Sequence, residues 1–212
     1  MGDRGWINPK PPREGCKHSI FVCSPYLNAS AFRWLLGQIN KSGAYDLYVL
    51  TCGKNDPRQI YASGTHGSRR HFINGCCESF AQKGRKVYLT IYPGDGAPKW
   101  NGQQDDPLMH SKLYLCAKGK PLNGDLKGFP DQHEIYSAWF GSMNFTDRGL
   151  GLNGVEQSFE LLARANDCVA KKALAERFSY YWRRGGSKRW NTETKTGKLQ
   201  EVKKGSFDST KT

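Results

Sequence analysis

The chain has 212 residues, with 32 Lys and Arg against 19 Asp and Glu, a formal charge of +13. That length suits one domain with a substantial core and leaves too little chain for two. The positive excess points to a polyanionic partner, nucleic acid or an acidic membrane surface; no apolar run approaches the length of a membrane-spanning helix, and a soluble chain is expected.

Taken in chain order, residues 1–17 are polar and broken by proline, an extension without signal-peptide character. Ser19–Cys23 predicts a first strand. Asn28 or Ser30 then caps a helix whose apolar face is Phe32, Leu35, Leu36 and Ile39. Tyr45–Thr51 predicts a second strand, Ser68–Gln82 a helix ended by Gly84, and Lys86–Tyr92 a third strand. This alternation predicts an α/β fold with right-handed crossovers and a mixed, mostly parallel sheet covered by helices on both faces. Pro93–Pro107, a loop of glycine, proline and acid, runs into Met109-His110 and is a candidate lid.

The strand HSKLYLCA follows, and the Gly- and Pro-rich Lys118–Glu134 links it to a strand over Tyr136–Gly141. A turn or short helix begins at Asn144, and Val155–Ala163 reads as a further strand. Asn166 or Asp167 caps a last helix running through Trp182, with Leu174, Phe178, Tyr181 and Trp182 inward. The domain therefore covers 18–184, and 185–212 reads as a basic, flexible tail. From Arg183 to Thr212 nine Lys/Arg face three Asp/Glu, a net +6, which fits either a solvated tail or a nucleic-acid arm.

There are seven cysteines and no CxxC pair. Cys23, Cys52 and Cys116 lie in strand-like apolar runs and read as buried small hydrophobes of a reducing cytoplasm. Cys16, His18 and Cys23 lack a fourth ligand at zinc spacing, so no metal and no cofactor is expected. Asp95, Asp105 and Asp106 sit among glycines and read as turn formers rather than magnesium ligands.

The chemistry concentrates in His110-Ser111-Lys112 and Gly141-Ser142-Met143-Asn144. Period-two alternation projects His110 and Lys112 from one strand face, with Ser111, Leu113 and Leu115 opposite. An imidazole nucleophile, a fixed cation and an amide donor match the needs of attack at a phosphodiester. Each residue has a plainer use: His110 as a structural histidine, Lys112 as a solvated strand lysine, Asn144 as a turn cap. The apolar runs flanking Lys112 argue against a solvated strand, and capping is compatible with charge stabilisation.

These motifs resemble those of the phospholipase D superfamily, His-x-Lys followed downstream by Gly-Ser-x-Asn, over roughly Ser19 to Leu162. The resemblance is nearest to the nuclease branch that includes metal-independent restriction endonucleases. The fuller superfamily motif carries an aspartate five residues after the lysine; Ala117 stands there, as in the restriction-like nucleases and unlike most lipid-hydrolysing members. The branch also has an acidic residue after Gly-Ser-x-Asn. Glu156 and Glu160 share one strand face, and Glu156 is preferred because it follows Asn144 by twelve residues, at the strand's opening.

The resemblance implies catalytic His110, Lys112, Asn144 and Glu156, with Ser142 and Ser111 binding substrate and the carboxylate orienting His110. It implies two histidines per site, one as nucleophile and one as general acid. Because His-x-Lys occurs once in the chain, it implies a homodimer with a shared site. The expected activity is metal-independent hydrolysis of nucleic acid, DNA favoured, through a phosphohistidine, in the cytoplasm and without stable membrane association. A phospholipid hydrolase or transferase of the same superfamily and a non-catalytic nucleic-acid-binding module are the rival readings. Arg69-Arg70, Lys83, Arg85-Lys86, Arg183-Arg184 and Lys188-Arg189 are candidate phosphate contacts, and Trp100 and Trp190 candidate base platforms.

Overall fold

The runs KHSIFVC, YDLYVLTC and VYLTIY carry apolar residues on both alternating positions, the pattern of strands covered on both faces. In the computed structural model of the protein they form β1 (Lys17–Cys23), β2 (Tyr45–Cys52) and β3 (Val87–Tyr92). The structure describes residues 17–27, 31, 34–35, 45–52, 85–92, 111–152, 160–184, 189–192 and 199–201. The remaining strands are β4 (Lys112–Gly119), β5 (His133–Gly141), β6 (Leu162–Arg164), β7 (Arg189–Thr192) and β8 (Leu199–Glu201). They join one sheet in the order β6-β5-β4-β1-β2-β3-β7-β8.

Two aspects of the expected sheet are corrected. β1 pairs with β2 and β2 with β3 in parallel, but the other five pairings are antiparallel. The sheet is mixed without being mostly parallel. β4 returns on the far side of β1 and runs antiparallel to it, a direction that the order of elements along the chain does not dictate. The second correction concerns 185–212: β7 and β8 lie within it and extend the sheet beyond β3. Alternation in RWNT and LQE is too short to be read as strand from sequence, and pairing with β3 supplies what local pattern lacks.

The two faces bury separate cores. On one, Ile20, Val22, Leu47, Val49, Tyr114 and Phe145 pack with Ala31 and Leu35, which are helical as expected for that stretch. On the other, α2 (Cys168–Arg184) covers Phe21, Cys23, Tyr48, Leu50 and Tyr88. Asp167 caps α2, its Oδ1 accepting from the Ala170 amide at 2.7 Å. Phe178 and Trp182 face inward as expected, and Phe178 meets Phe21 edge-on at 5.3 Å.

The link after β4 contributes more than a connection. Leu122, Leu126 and Phe129 are buried beneath α2, and Phe129 stacks on Phe21 at 4.5 Å. Trp182 Nε1 donates to the Gly124 carbonyl and Ser179 Oγ to the Phe129 carbonyl, both at 3.3 Å. These bonds satisfy buried carbonyls that a loop would otherwise leave to water. The expected helix over Ser68–Gln82 and the lid over Pro93–Pro107 lie outside the described residues.

Candidate active site

Antiparallel pairing decides what meets at the end of the sheet. Cys23, at the end of β1, pairs with Leu113 near the start of β4. Lys112, the first residue of β4, pairs with Gly141, the last of β5, and Gly141 pairs with Leu162, the first of β6. One sheet edge therefore gathers the end of β1, the start of β4, the end of β5 and the entry to β6.

Lys112 is 5 % exposed, a cation held in a nearly dry position. Desolvation lowers its pKa; the negative charge of Glu160 opposes that shift and favours the ammonium form. Cys23 lies beneath it, its thiol aimed at the Ser111 carbonyl at 3.5 Å. Burial pushes that thiol up to about 12, against the pull of Lys112, so Cys23 is an inert filler.

The turn after β5 is fixed at several points. Ser142 donates from its hydroxyl to Glu160 Oε2 at 2.6 Å, and the same oxygen accepts from the Leu161 amide at 2.9 Å. The Ser142 amide donates to the Leu161 carbonyl at 2.9 Å. Gly141 permits this approach: a Cβ there would lie 1.9 Å from the Leu161 oxygen. Ser142 thus fastens the acid-bearing segment to the Gly-Ser turn.

Asn144 sits between two anchored neighbours. Tyr114, two residues along the same face from Lys112, donates to the Met143 carbonyl at 2.5 Å. Ser24, just past β1, accepts from the Phe145 amide at 3.0 Å and donates to the Tyr26 carbonyl at 2.7 Å. Thr146 then caps α1 (Asp147–Leu150), accepting from the Gly149 amide at 3.1 Å. A Cβ on Gly149 would lie 2.3 Å from the Asn144 carbonyl, so this close turn needs a glycine. The Asn144 Oδ1 is buried with no hydrogen-bond partner among the described residues. A buried unsatisfied amide oxygen costs free energy.

Of the residues singled out from sequence, Lys112, Ser142 and the turn presenting Asn144 share this edge, and half-buried Ser111 precedes Lys112. His110 and Glu156 lie outside the described residues. Glu160, ranked second by spacing, has its carboxylate on Ser142 and its charge acting on Lys112. The expected strand over Val155–Ala163 is described only as β6 from Leu162 to Arg164, so Glu160 stands two residues before a strand. Ser24 and Tyr114 were missed. Alternation from Lys112 would have found Tyr114; nothing local in the sequence marks Ser24. Among the described residues no three His, Cys, Asp or Glu side chains converge to hold a metal ion.

A buried lysine, a hydroxyl bound to a carboxylate and an unsatisfied amide oxygen stand near one another at this end of the sheet. The family described as cardiolipin synthase, phospholipase-D-like domain, matches residues 14–182, or 169 of the 212. The chain belongs to that family, and membership implies phosphodiester hydrolysis or transfer. No curated protein matches it. Among the described residues no helix is long and apolar enough to cross a membrane.

Proposed function

We propose that the chain is a metal-independent nuclease, most simply a DNA endonuclease of the restriction-like kind, acting as a homodimer in the cytoplasm. The observation that carries the phosphodiester chemistry is the meeting of Lys112, Ser142 and Glu160 at one sheet edge. A net charge of +13 supports nucleic acid as the substrate. Buried Ala117 stands where lipid-hydrolysing members usually carry an aspartate. Free thiols at Cys23, Cys116 and exposed Cys168 suit a reducing compartment.

In this mechanism His110 attacks phosphorus, forming a P–N bond as the P–O bond to the leaving oxygen breaks. The partner's His110 gives that oxygen its proton, then takes one from the water that hydrolyses the phosphohistidine. Lys112 and the Asn144 amide hold the charge developing on the non-bridging oxygens. Glu160, rather than Glu156, takes the acidic role: its link to Ser142 and its effect on Lys112 support that assignment.

A second reading, phospholipid hydrolysis or phosphatidyl transfer, is favoured by the description of the matching family. Plasmid nicking in EDTA beside hydrolysis of phospholipid vesicles separates the two. The wild type nicks DNA in EDTA, His110→Ala does not, and Glu160→Gln loses about a hundredfold while Glu156→Gln keeps most activity. A requirement for divalent metal sinks the mechanism. Vesicle turnover without nicking transfers the assignment to lipid.

A further inference from the structure

Arg164 and Trp139 lie on the same side of the sheet as the site. Counting by period two from Glu160, the next residues on that side are Leu162 and Arg164. Leu162, Gly141 and Lys112 form one row across β6, β5 and β4, and Arg164, Trp139 and Tyr114 form the next. With rows about 7 Å apart along the strands and about 5 Å between neighbouring strands, Arg164 stands about 12 Å from Lys112 along the backbone.

The Arg164 guanidinium lies over the Trp139 ring, 5.7 Å from its centroid. Trp139 is itself fixed, half-buried against the core, with Nε1 donating to Ser137 Oγ at 3.0 Å. Arg164 is exposed, and no carboxylate among the described residues pairs with it. The indole restricts where the guanidinium can lie, and the exposed side chain keeps N–H donors open to solvent. That is the arrangement for bidentate capture of a phosphate at reduced entropic cost. Stacking alone is worth only about 0.5–1 kcal/mol at an exposed position, so it positions the fork more than it stabilises the fold.

We infer that Arg164, seated on Trp139, is a second phosphate subsite that binds the substrate strand away from the scissile phosphate. This rests on the nuclease reading and deepens it to a polynucleotide substrate. At about 3.4 Å of axial rise per nucleotide, 12 Å corresponds to three or four nucleotides from the cleaved bond. A nucleic-acid strand has a phosphate at that distance, whereas a phospholipid with a single headgroup phosphate has none.

The test compares wild type, Arg164→Ala and Arg164→Lys on DNA of two and of ten nucleotides, at several salt concentrations. In the wild type KM falls with length. Arg164→Ala cuts that fall about tenfold and lowers the slope of log KM against log salt by about 0.7 for the ten-mer. Arg164→Lys recovers part of the salt slope without the full affinity. The same length gain in Arg164→Ala as in wild type overturns the subsite and leaves the nuclease reading standing. Equal losses on both lengths with a lowered melting temperature also overturn it, as a structural role. If the wild type cleaves neither DNA, the nuclease reading fails. Loss of activity by Arg164→Ala on anionic phospholipid vesicles would then assign the pair to lipid and overturn the polynucleotide claim.

Discussion

Gly141→Ala tests how the fold holds Glu160 on the Gly-Ser turn. A Cβ at this position would lie 1.9 Å from the Leu161 oxygen and 2.9 Å from its carbonyl carbon, where real Cβ contacts stop near 3.0 Å. The segment entering β6 must therefore retreat by at least 1.1 Å, since 3.0 − 1.9 = 1.1. The Ser142 amide to Leu161 carbonyl bond and the Leu161 amide to Ser142 hydroxyl bond, both now 2.9 Å, would stretch to about 4 Å and break. At about 1 kcal/mol each, their loss costs roughly 2 kcal/mol of stability. The effect on rate is larger in proportion. Glu160 moves with Leu161, and in the acidic role proposed for it a 1 Å misplacement costs on the order of a hundredfold. Urea melts followed by circular dichroism read the first quantity, and turnover of bis(p-nitrophenyl) phosphate reads the second. If Gly141→Ala melts within 0.5 kcal/mol of wild type and turns over within about threefold, the packing argument is wrong.

Two further predictions concern stability. Phe178→Ala removes a fully buried ring that meets Phe21 at 5.3 Å and stacks with Trp182 at 5.8 Å, and should cost about 3–5 kcal/mol in denaturant melts. His18 is 4 % exposed, its Nδ1 3.2 Å from the Tyr136 hydroxyl, and burial first, then Lys118, holds its pKa below the ordinary 6.5. The unfolded chain then binds the proton more readily, so this contribution is full above pH 6.5 and fades as pH falls towards the lower folded value. His18→Gln should flatten the stability profile in that window; an unchanged acid slope would refute the assignment.

Strands β1, β2 and β3, the inward face of α2 and the two motifs were legible because each rests on local pattern: continuous apolar runs, helical spacing or a short spacing of functional groups. Lys112 and Ser142 belong to this class, and so does Asp167, which a cap rule identifies. Other features depend on residues far apart in sequence. The direction of β4 against β1 sets which strand ends share an edge, and no residue in β4 encodes its neighbour. The contribution of Leu122, Leu126 and Phe129 to the core was hidden because glycines and prolines around them read as loop.

Glu160 shows the division most clearly, Glu156 lying outside the described residues. Both were visible as acids on one alternating face, and a spacing of twelve or sixteen residues from Asn144 carries little energy by itself. Composition and motif alone yielded a basic, one-domain chain with a phosphodiesterase-like motif pair. Tertiary structure added the contact of Ser142 with Glu160 and the anchoring of the Asn144 turn by Tyr114 and Ser24. The physical reason is that hydrogen bonds and desolvation act through distances of a few ångströms, and only the folded sheet brings β1, β4, β5 and the entry to β6 that close.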